Sequence, residues 1–318
     1  MIESEVIIIG GGPAGSACAW QLHRHQIPAL IIDKSTFPRL KLCAGWVQPR
    51  IWRQLQLGPE DYPHGLLLFK KLHFHFYGHH LPVPTRQYSI RRTEFDRWLL
   101  ERSAVEVHRH RVQHIRFEDG FYVIDDRYRS RYLVGAGGTN CPVYRTFFRN
   151  SQPREEELRI STIEEEFPYD YRDKRCLLWF FEDGLPGYAW YVPKANGYLN
   201  VGIGGQYIKL RAQQKTIRSY WQPFVEKLRK LNLVNDHPFH HKGYNYYLRR
   251  KQPVVQNGRA YIVGDALGLA TIDMGEGIGP AVESGILAAK AIIQNQAYTI
   301  GTIPKYSFPR ILFPRLLR

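Results

Sequence analysis

Residues 5–33 read EVIIIGGGPAGSACAWQLHRHQIPALIID. The apolar run Val6–Ile9 has the pattern of a buried strand and stops abruptly at glycine. Helical spacing follows in SACAWQLHRHQ, and a second apolar strand, ALIID, ends on Asp33. Strand, glycine turn, helix and strand within about thirty residues make a β-α-β unit. Gly10, Gly12 and Gly15 stand in G-x-G-x-x-G spacing at the turn, with Ala14 inside it. The first glycine permits the tight turn, the second lets a pyrophosphate approach the backbone, and the third allows the helix to pack closely on the strand. The helix N-terminus offers free N–H groups and a partial positive charge to phosphates. Asp33, 23 residues beyond Gly10 and followed by Lys34, stands where a carboxylate accepts ribose hydroxyls. A glycine pattern alone is weak evidence. With both strands, the helix and the terminal acid present, the segment reads as a dinucleotide-binding unit.

The bulk properties leave room for this unit and more. With 318 residues the chain makes one large domain or two joined ones, and 44% hydrophobic and 14% aromatic residues suffice for a sizeable core. The four cysteines, Cys18, Cys43, Cys141 and Cys176, show no pair spacing, which fits a reducing compartment. Glu3 and Glu5 sit where a signal peptide carries positive charge, and no window offers about 18 unbroken apolar residues. The expectation is a cytoplasmic protein. Forty-four basic against 29 acidic residues give a net charge of +15, which attracts nucleic acid, anionic lipid or acidic proteins. No zinc-finger, helix-turn-helix or RNA-recognition pattern accompanies it, so no nucleic-acid partner is expected. Histidines gather at 73, 75, 79 and 80 and at 237, 240 and 241, but no cysteine or carboxylate completes either set, and no metal site is expected.

Farther along, residues 66–90 alternate as an antiparallel hairpin, RTEFDRWLLERSA reads as a helix opening at Thr93, and 155–210 is strand-rich. A basic helix is expected over roughly 208–231, bent or interrupted at Pro223. The strand AYIVGDA leads through a glycine-rich turn into the helix PAVESGILAAKAII.

Three segments then occur in order: RRTEFDRWLL (91–100), YLVGAGGTNCPVYR (132–145) and AYIVGDALGLATIDMGEGIGPAVESG (260–285). Here the chain resembles the FAD-dependent oxidoreductases that include aromatic hydroxylases, flavin halogenases and geranylgeranyl reductases. The resemblance covers most of the chain. It implies that Asp265 holds a ribityl or pyrophosphate oxygen and that the 275–279 turn, with Gly275, Gly277 and Ile278, meets the N1–C2=O edge of the flavin. It further implies that Arg92 contacts FAD and that Val112 lies on a strand beside the adenine.

GYAWYVPKANGYLNVGIGG (187–205) resembles the Tyr-x-Trp-x-Phe-Pro signature of the geranylgeranyl reductase branch, as Tyr188, Trp190 and Pro193, with Val192 in place of phenylalanine. KLCAGW (41–46) resembles that branch's Lys-x-Cys-Gly segment, with Ala44 for the first glycine. The resemblance implies that Tyr188 and Trp190 form a substrate wall and that Cys43 lies beside the flavin, where it packs or relays a proton. Tyr188 is the rival donor, although a phenol titrating near 10 is a reluctant acid. In the hydroxylase branch a Gly-Ala-Asp-Gly turn helps bind NAD(P)H. Here residues 135–138 read Gly-Ala-Gly-Gly, which weakens direct reduction by NAD(P)H. Tyr188 and Val192 spoil the halogenase signature.

The expected fold is therefore α/β, a Rossmann-like FAD-binding domain (1–64, 88–150 and 244–318) with an inserted, mostly antiparallel α+β substrate domain (65–87 and 151–243). The expected activity is reduction of carbon–carbon double bonds in an apolar, isoprenoid-type small molecule or lipid. The alternatives are an FAD monooxygenase of an aromatic or polycyclic compound and a flavin electron-transfer protein. NAD(P)H or an acidic electron carrier such as ferredoxin is the expected donor; the latter would dock on Lys209, Arg211, Lys215, Arg218, Lys227, Arg229 and Lys230. The basic, apolar tail SFPRILFPRLLR is a candidate for peripheral membrane contact.

Overall fold

In the computed structural model, whose described residues are 1–312, the opening stretch forms β1 (Ile2–Ile9), α1 (Pro13–Arg24) and β2 (Ala29–Asp33). β3 (Trp46–Val47) and α2 (Arg50–Gln54) lead into β4 (Leu67–Phe76) and β5 (His79–Ser89). Then come α3 (Arg92–Arg102), β6 (Glu106–Arg109), β7 (Ile115–Glu118), β8 (Phe121–Ile124), β9 (Tyr128–Gly135) and α4 (Pro142–Phe147). The second half holds β10 (Arg159–Pro168), β11 (Cys176–Phe180), β12 (Gly187–Lys194), β13 (Tyr198–Gln206), α5 (Tyr207–Ala212), α6 (Trp221–Lys230) and β14 (Lys242–Tyr247). β15 (Gln256–Asn257), β16 (Ala260–Ile262), α7 (Ile278–Gln294) and α8 (Phe308–Leu312) follow.

Two units emerge: Met1–Leu40, Thr93–Arg154 and Tyr247–Tyr306 make the first, and Lys41–Arg92, Glu155–Tyr246 and the described residues from 307 on the second. The expected division put residues 41–64 and the tail with the cofactor segments. Here residues 41–64 and the described part of the tail, to Leu312, fall in the second unit, because Trp46 and Val47 pair antiparallel with Ser89 and Tyr88 of β5 and α8 also packs on β5.

The first unit is built on the order β15-β16-β9-β1-β2-β6, parallel from β16 to β6. A parallel sheet is covered on both faces, so its strands are apolar runs rather than alternating ones. Ile7, Ile8, Ile31 and Ile32 are accordingly fully buried. α1 and α7 pack tightly on each other, since a Cβ at Gly285 would overlap the Ala14 carbonyl.

The second unit carries a sheet in the order β14-β10-β13-β12-β11-β4-β5-β3, whose β4–β11 pairing is parallel. Tyr77 and Gly78, at φ 44° and 83°, form the two-residue turn of the β4–β5 hairpin, as the right-handed strand twist demands. Alternation along β12 sorts its side chains. Ala189 and Tyr191 join Trp179, Val201 and Ile203 in one apolar cluster with Trp221, Phe224, Val225 and Leu228 of α6. Tyr188, Trp190, Val192 and Lys194 therefore occupy the opposite face.

The expected long basic helix is instead α5 and α6, broken at Gln213–Thr216, where Gln214 takes φ 54°. Pro223 does not break it. It lies in the first turn of α6, where its missing N–H has no intrahelical partner to lose. In α8, Phe308 stacks on Phe74 with ring centroids 5.9 Å apart and Ile311 is buried. The tail residues Phe313, Arg315, Leu316, Leu317 and Arg318, expected to touch a membrane, lie outside the described residues. Among the described residues no helix is long and apolar enough to cross a membrane.

Candidate functional site

In the first unit the glycine turn has the geometry its spacing requires. Gly10 takes φ 113°, and a Cβ there would sit 2.5 Å from the Ala136 carbonyl oxygen. One on Gly15 would overlap the Gly10 carbonyl. Among the described residues, a Cβ at Gly12 would meet only the Arg39 guanidinium, at 3.0 Å, which leaves this side of the turn accessible. No side chain caps the start of α1 among the described residues, which leaves its first N–H groups for a ligand. The buried Asp33 accepts the Gly11 N–H on Oδ2 and the Ser35 N–H on Oδ1, each at 2.8 Å. Each oxygen keeps a lone pair for another donor. Lys34 is exposed. Val112 is buried, but it lies in the connection between β6 and β7 rather than on a strand, because β6 ends at Arg109.

A second turn closes on the first. Gly264, at φ 57°, has no room for a side chain beside Ala14 and Ala281, so α1, the Gly264–Asp265 turn and α7 converge. Ser284 Oγ accepts the Gly264 N–H at 3.0 Å. A Cβ at Gly277 would lie 3.5 Å from Asp265 Oδ1, so Asp265 faces the N-terminus of α7, which begins at the buried Ile278. Gly275, at φ 65°, donates its N–H to the Thr271 carbonyl, and Glu276 N–H donates to Thr271 Oγ1. Two helix N-termini, glycine turns and two acids thus form a cradle that fits a dinucleotide with a pyrophosphate. At Gly137, where the hydroxylases carry aspartate, a Cβ would lie 3.2 Å from Cys141 Cα. Arg92 is buried at the start of α3 and falls in the second unit.

In the second unit, Trp190 is buried and donates its indole N–H to Asn200 Oδ1 at 2.7 Å. Its ring lies over Gly202, whose place opposite Trp190 in the β12–β13 register leaves room for it. Tyr188 lies 5.1 Å from Phe180 and 5.8 Å from Trp190, ring centre to ring centre, and is stacked with Trp46 at 6.5 Å. With Leu178 and Phe74 in register beside Trp190, this face is an aromatic and aliphatic wall. Cys43 is half-buried, and its Sγ accepts the Gly45 N–H at 3.3 Å.

Residues 8–42 match the family model described as an NAD(P)-binding Rossmann-like domain. The fold is similar to a geranylgeranyl bacteriochlorophyll reductase-like protein of Thermoplasma acidophilum, with TM-score 0.79 and 20% identity over 99% of this chain and 84% of that one. A digeranylgeranylglycerophospholipid reductase of Methanopyrus kandleri is 26% identical over 64% of this chain and 58% of its own. A menaquinone reductase of Mycobacterium tuberculosis is 27% identical over 91% of this chain and 76% of its own. An uncharacterized protein of Methanosarcina barkeri is 32% identical over 92% of this chain and 75% of its own. The chain belongs to the geranylgeranyl reductase branch of the FAD-dependent oxidoreductases.

In this reductase-branch enzyme, several polar residues near the candidate site were not singled out by the sequence reading. Arg39 stands 3.4 Å from the buried Asp96, beside Gly12. Arg154 lies between the rings of Tyr144 and Tyr247, at 4.0 and 4.8 Å, and donates to the carbonyls of Ala266 (2.7 Å) and Asp265 (3.3 Å). It therefore fixes the turn that aims Asp265. Under the Cys43 turn lie Glu164 and Lys194, both buried. Burial pushes the Glu164 carboxyl up to about 8, against the pull of Lys194 and Lys41. Burial also lowers the proton affinity of Lys194. None of these sits in a recognisable motif. Glu164 and Lys194 share the sheet face of Trp190 only through the strand register, which the sequence does not show.

Proposed function

We propose that the chain binds FAD in the cradle of the first unit and reduces carbon–carbon double bonds of an apolar, isoprenoid-type substrate. The observation that carries this reading is the wall of Tyr188, Trp190, Leu178, Phe180 and Phe74 on one sheet face, opposite the face that α6 covers. Relatives named for digeranylgeranylglycerophospholipid and menaquinone support the substrate class. An isoprenoid offers no charge to grip. Burying one five-carbon unit yields about 3–4 kcal/mol, so apolar walls suffice to hold it.

Gly10, Gly12, Ala14, Gly15, Asp33, Asp265, Gly275, Gly277 and Ile278 would hold the cofactor. Bound and reduced, the flavin would supply the hydride. Trp190 is held rigid by Asn200 and orients the chain, while Tyr188 closes its side. Cys43 provides the proton for the carbon that does not receive hydride.

The test is anaerobic. The yellow protein is reduced with dithionite, freed of excess reagent and mixed with a geranylgeranyl lipid. Return of the oxidised-flavin absorbance without oxygen, with a saturated product by mass spectrometry, is the expected result. Protein that stays bleached until air enters, and then yields a hydroxylated compound, would make it a monooxygenase instead.

A further inference from the structure

Two groups of opposite charge are buried beneath the Cys43 turn. Glu164 is 3% exposed and Lys194 0%. The Glu164 carboxyl accepts the Cys43 backbone N–H. Lys194 Nζ donates to the carbonyl of the next residue, Ala44. At the residue after that, a Cβ on Gly45 would come within 2.5 Å of Lys194 Nζ, and the φ of 70° also requires glycine there. Gly45 in turn donates its N–H to Cys43 Sγ and accepts the Ile90 N–H on its carbonyl. Two consecutive residues, Cys43 and Ala44, are thus held by side chains from β10 and β12, and Gly45 is bonded to Cys43 Sγ and to Ile90.

Such an arrangement is costly as scaffolding. Removing an ion from water costs several kcal/mol even after relaxation, and apolar residues of the same volume would fill the space without that cost. The remaining charged neighbours do not neutralise the pair evenly. Lys41 pulls on Glu164, and Glu166 pulls on Lys194 while bonding Arg91 at 3.0 Å; the buried Cys176 thiol completes the surroundings. Lys194 also interacts electrostatically with Cys43 itself.

We propose that Glu164 and Lys194 are positioning residues for Cys43, holding the 43–45 turn at the Cys43 N–H and the Ala44 carbonyl and acting on the thiol with opposite sign. The proposal rests on the reading of Cys43 as the proton donor. Lys194 stabilises the sulfur after it has given up its proton, and Glu164, once ionised, opposes that charge and favours return of the proton.

Alkylation by iodoacetamide tests this on the full chain without lipid substrate. Cys18, Cys141 and Cys176 are buried, and peptide mass spectrometry identifies modification at Cys43. Lys194→Met is expected to slow alkylation by about three- to tenfold, a partly screened single-charge effect. Glu164→Gln is expected to accelerate it above about pH 8, where the wild-type carboxyl ionises. A merely structural role would loosen the turn in both variants and move both rates the same way; that outcome, or no change in either, overturns the proposal. Lys194→Arg and Glu164→Asp keep the charges and are expected to keep the wild-type profile, which also covers the case of a neutral variant that does not fold. Shifts in these two as large as those expected of the neutral variants would equally overturn it. Because the assay needs no alkene, opposite shifts with a failed lipid assay would sink the proposed reaction and leave the clamp standing.

Discussion

Replacing Glu164 with glutamine should change how the stability of the protein depends on pH. In the folded chain burial holds this carboxyl up to about 8, whereas its ordinary value is 4.5. Between those limits the folded protein keeps a proton that the unfolded chain has released. The contribution of Glu164 is therefore whole below 4.5 and is lost as pH rises through 8. Each unit of difference corresponds to about 1.36 kcal/mol, so the window spans at most about 5 kcal/mol. Glutamine mimics the protonated acid at every pH. In urea unfolding at pH 5, 6, 7 and 8, Glu164→Gln should gain on the wild type steadily, by about 3–5 kcal/mol across the series. Lys194 acts in the opposite sense, since burial lowers its proton affinity. Parallel curves for wild type and Glu164→Gln would refute the reasoning, because they would mean that the carboxyl titrates alike in both states.

Arg154→Ala removes the donor to the Asp265 and Ala266 carbonyls and should cost about 2–3 kcal/mol while lowering retained flavin per protein, read as the ratio of visible to ultraviolet absorbance. An unchanged ratio would separate Arg154 from the cofactor. Cys43→Ser should keep the flavin spectrum and lower turnover or alter the products; unchanged kinetics would reduce the residue to packing. Gly202→Val would drive a side chain into the Trp190 indole and Glu164 Cβ and should lower stability by about 2–4 kcal/mol, with partial recovery when Trp190 is also made alanine.

The cofactor unit was legible because its chemistry is local. The turn at Gly10–Gly15, Asp33 at a strand end and Asp265 before a glycine-rich helix start are each spelled out within a few residues. What stayed hidden depends on pairs distant in sequence. Arg154 meets the Asp265 turn across 111 residues, and Lys194 reaches Ala44 across 150. No local pattern announces such contacts. Val112 was placed on a strand by the family resemblance, whereas β6 ends at Arg109 and leaves it buried in the connection to β7. The Pro223 break was misjudged for a different reason: proline is disruptive only inside a helix, and the true start of α6 two residues earlier was set by Trp221 docking into the sheet cluster.

The faces of β12 bear on how electrons arrive. Two expectations came from the sequence: a substrate wall at Tyr188 and Trp190, and an acidic carrier docking on the basic residues after Tyr207. The register separates them. α6 buries Trp221, Phe224 and Leu228 against the Tyr191 face, and Lys227 is already paired with Glu182. Its remaining exposed charges therefore point away from the sheet, on the side opposite Trp190. Electrostatic steering raises encounter rates only at the surface where the charges lie, so charge alone does not make α6 the route. The hydrogen-bonded Trp190, set over Gly202 with its indole committed to Asn200, is the more specific of the two features.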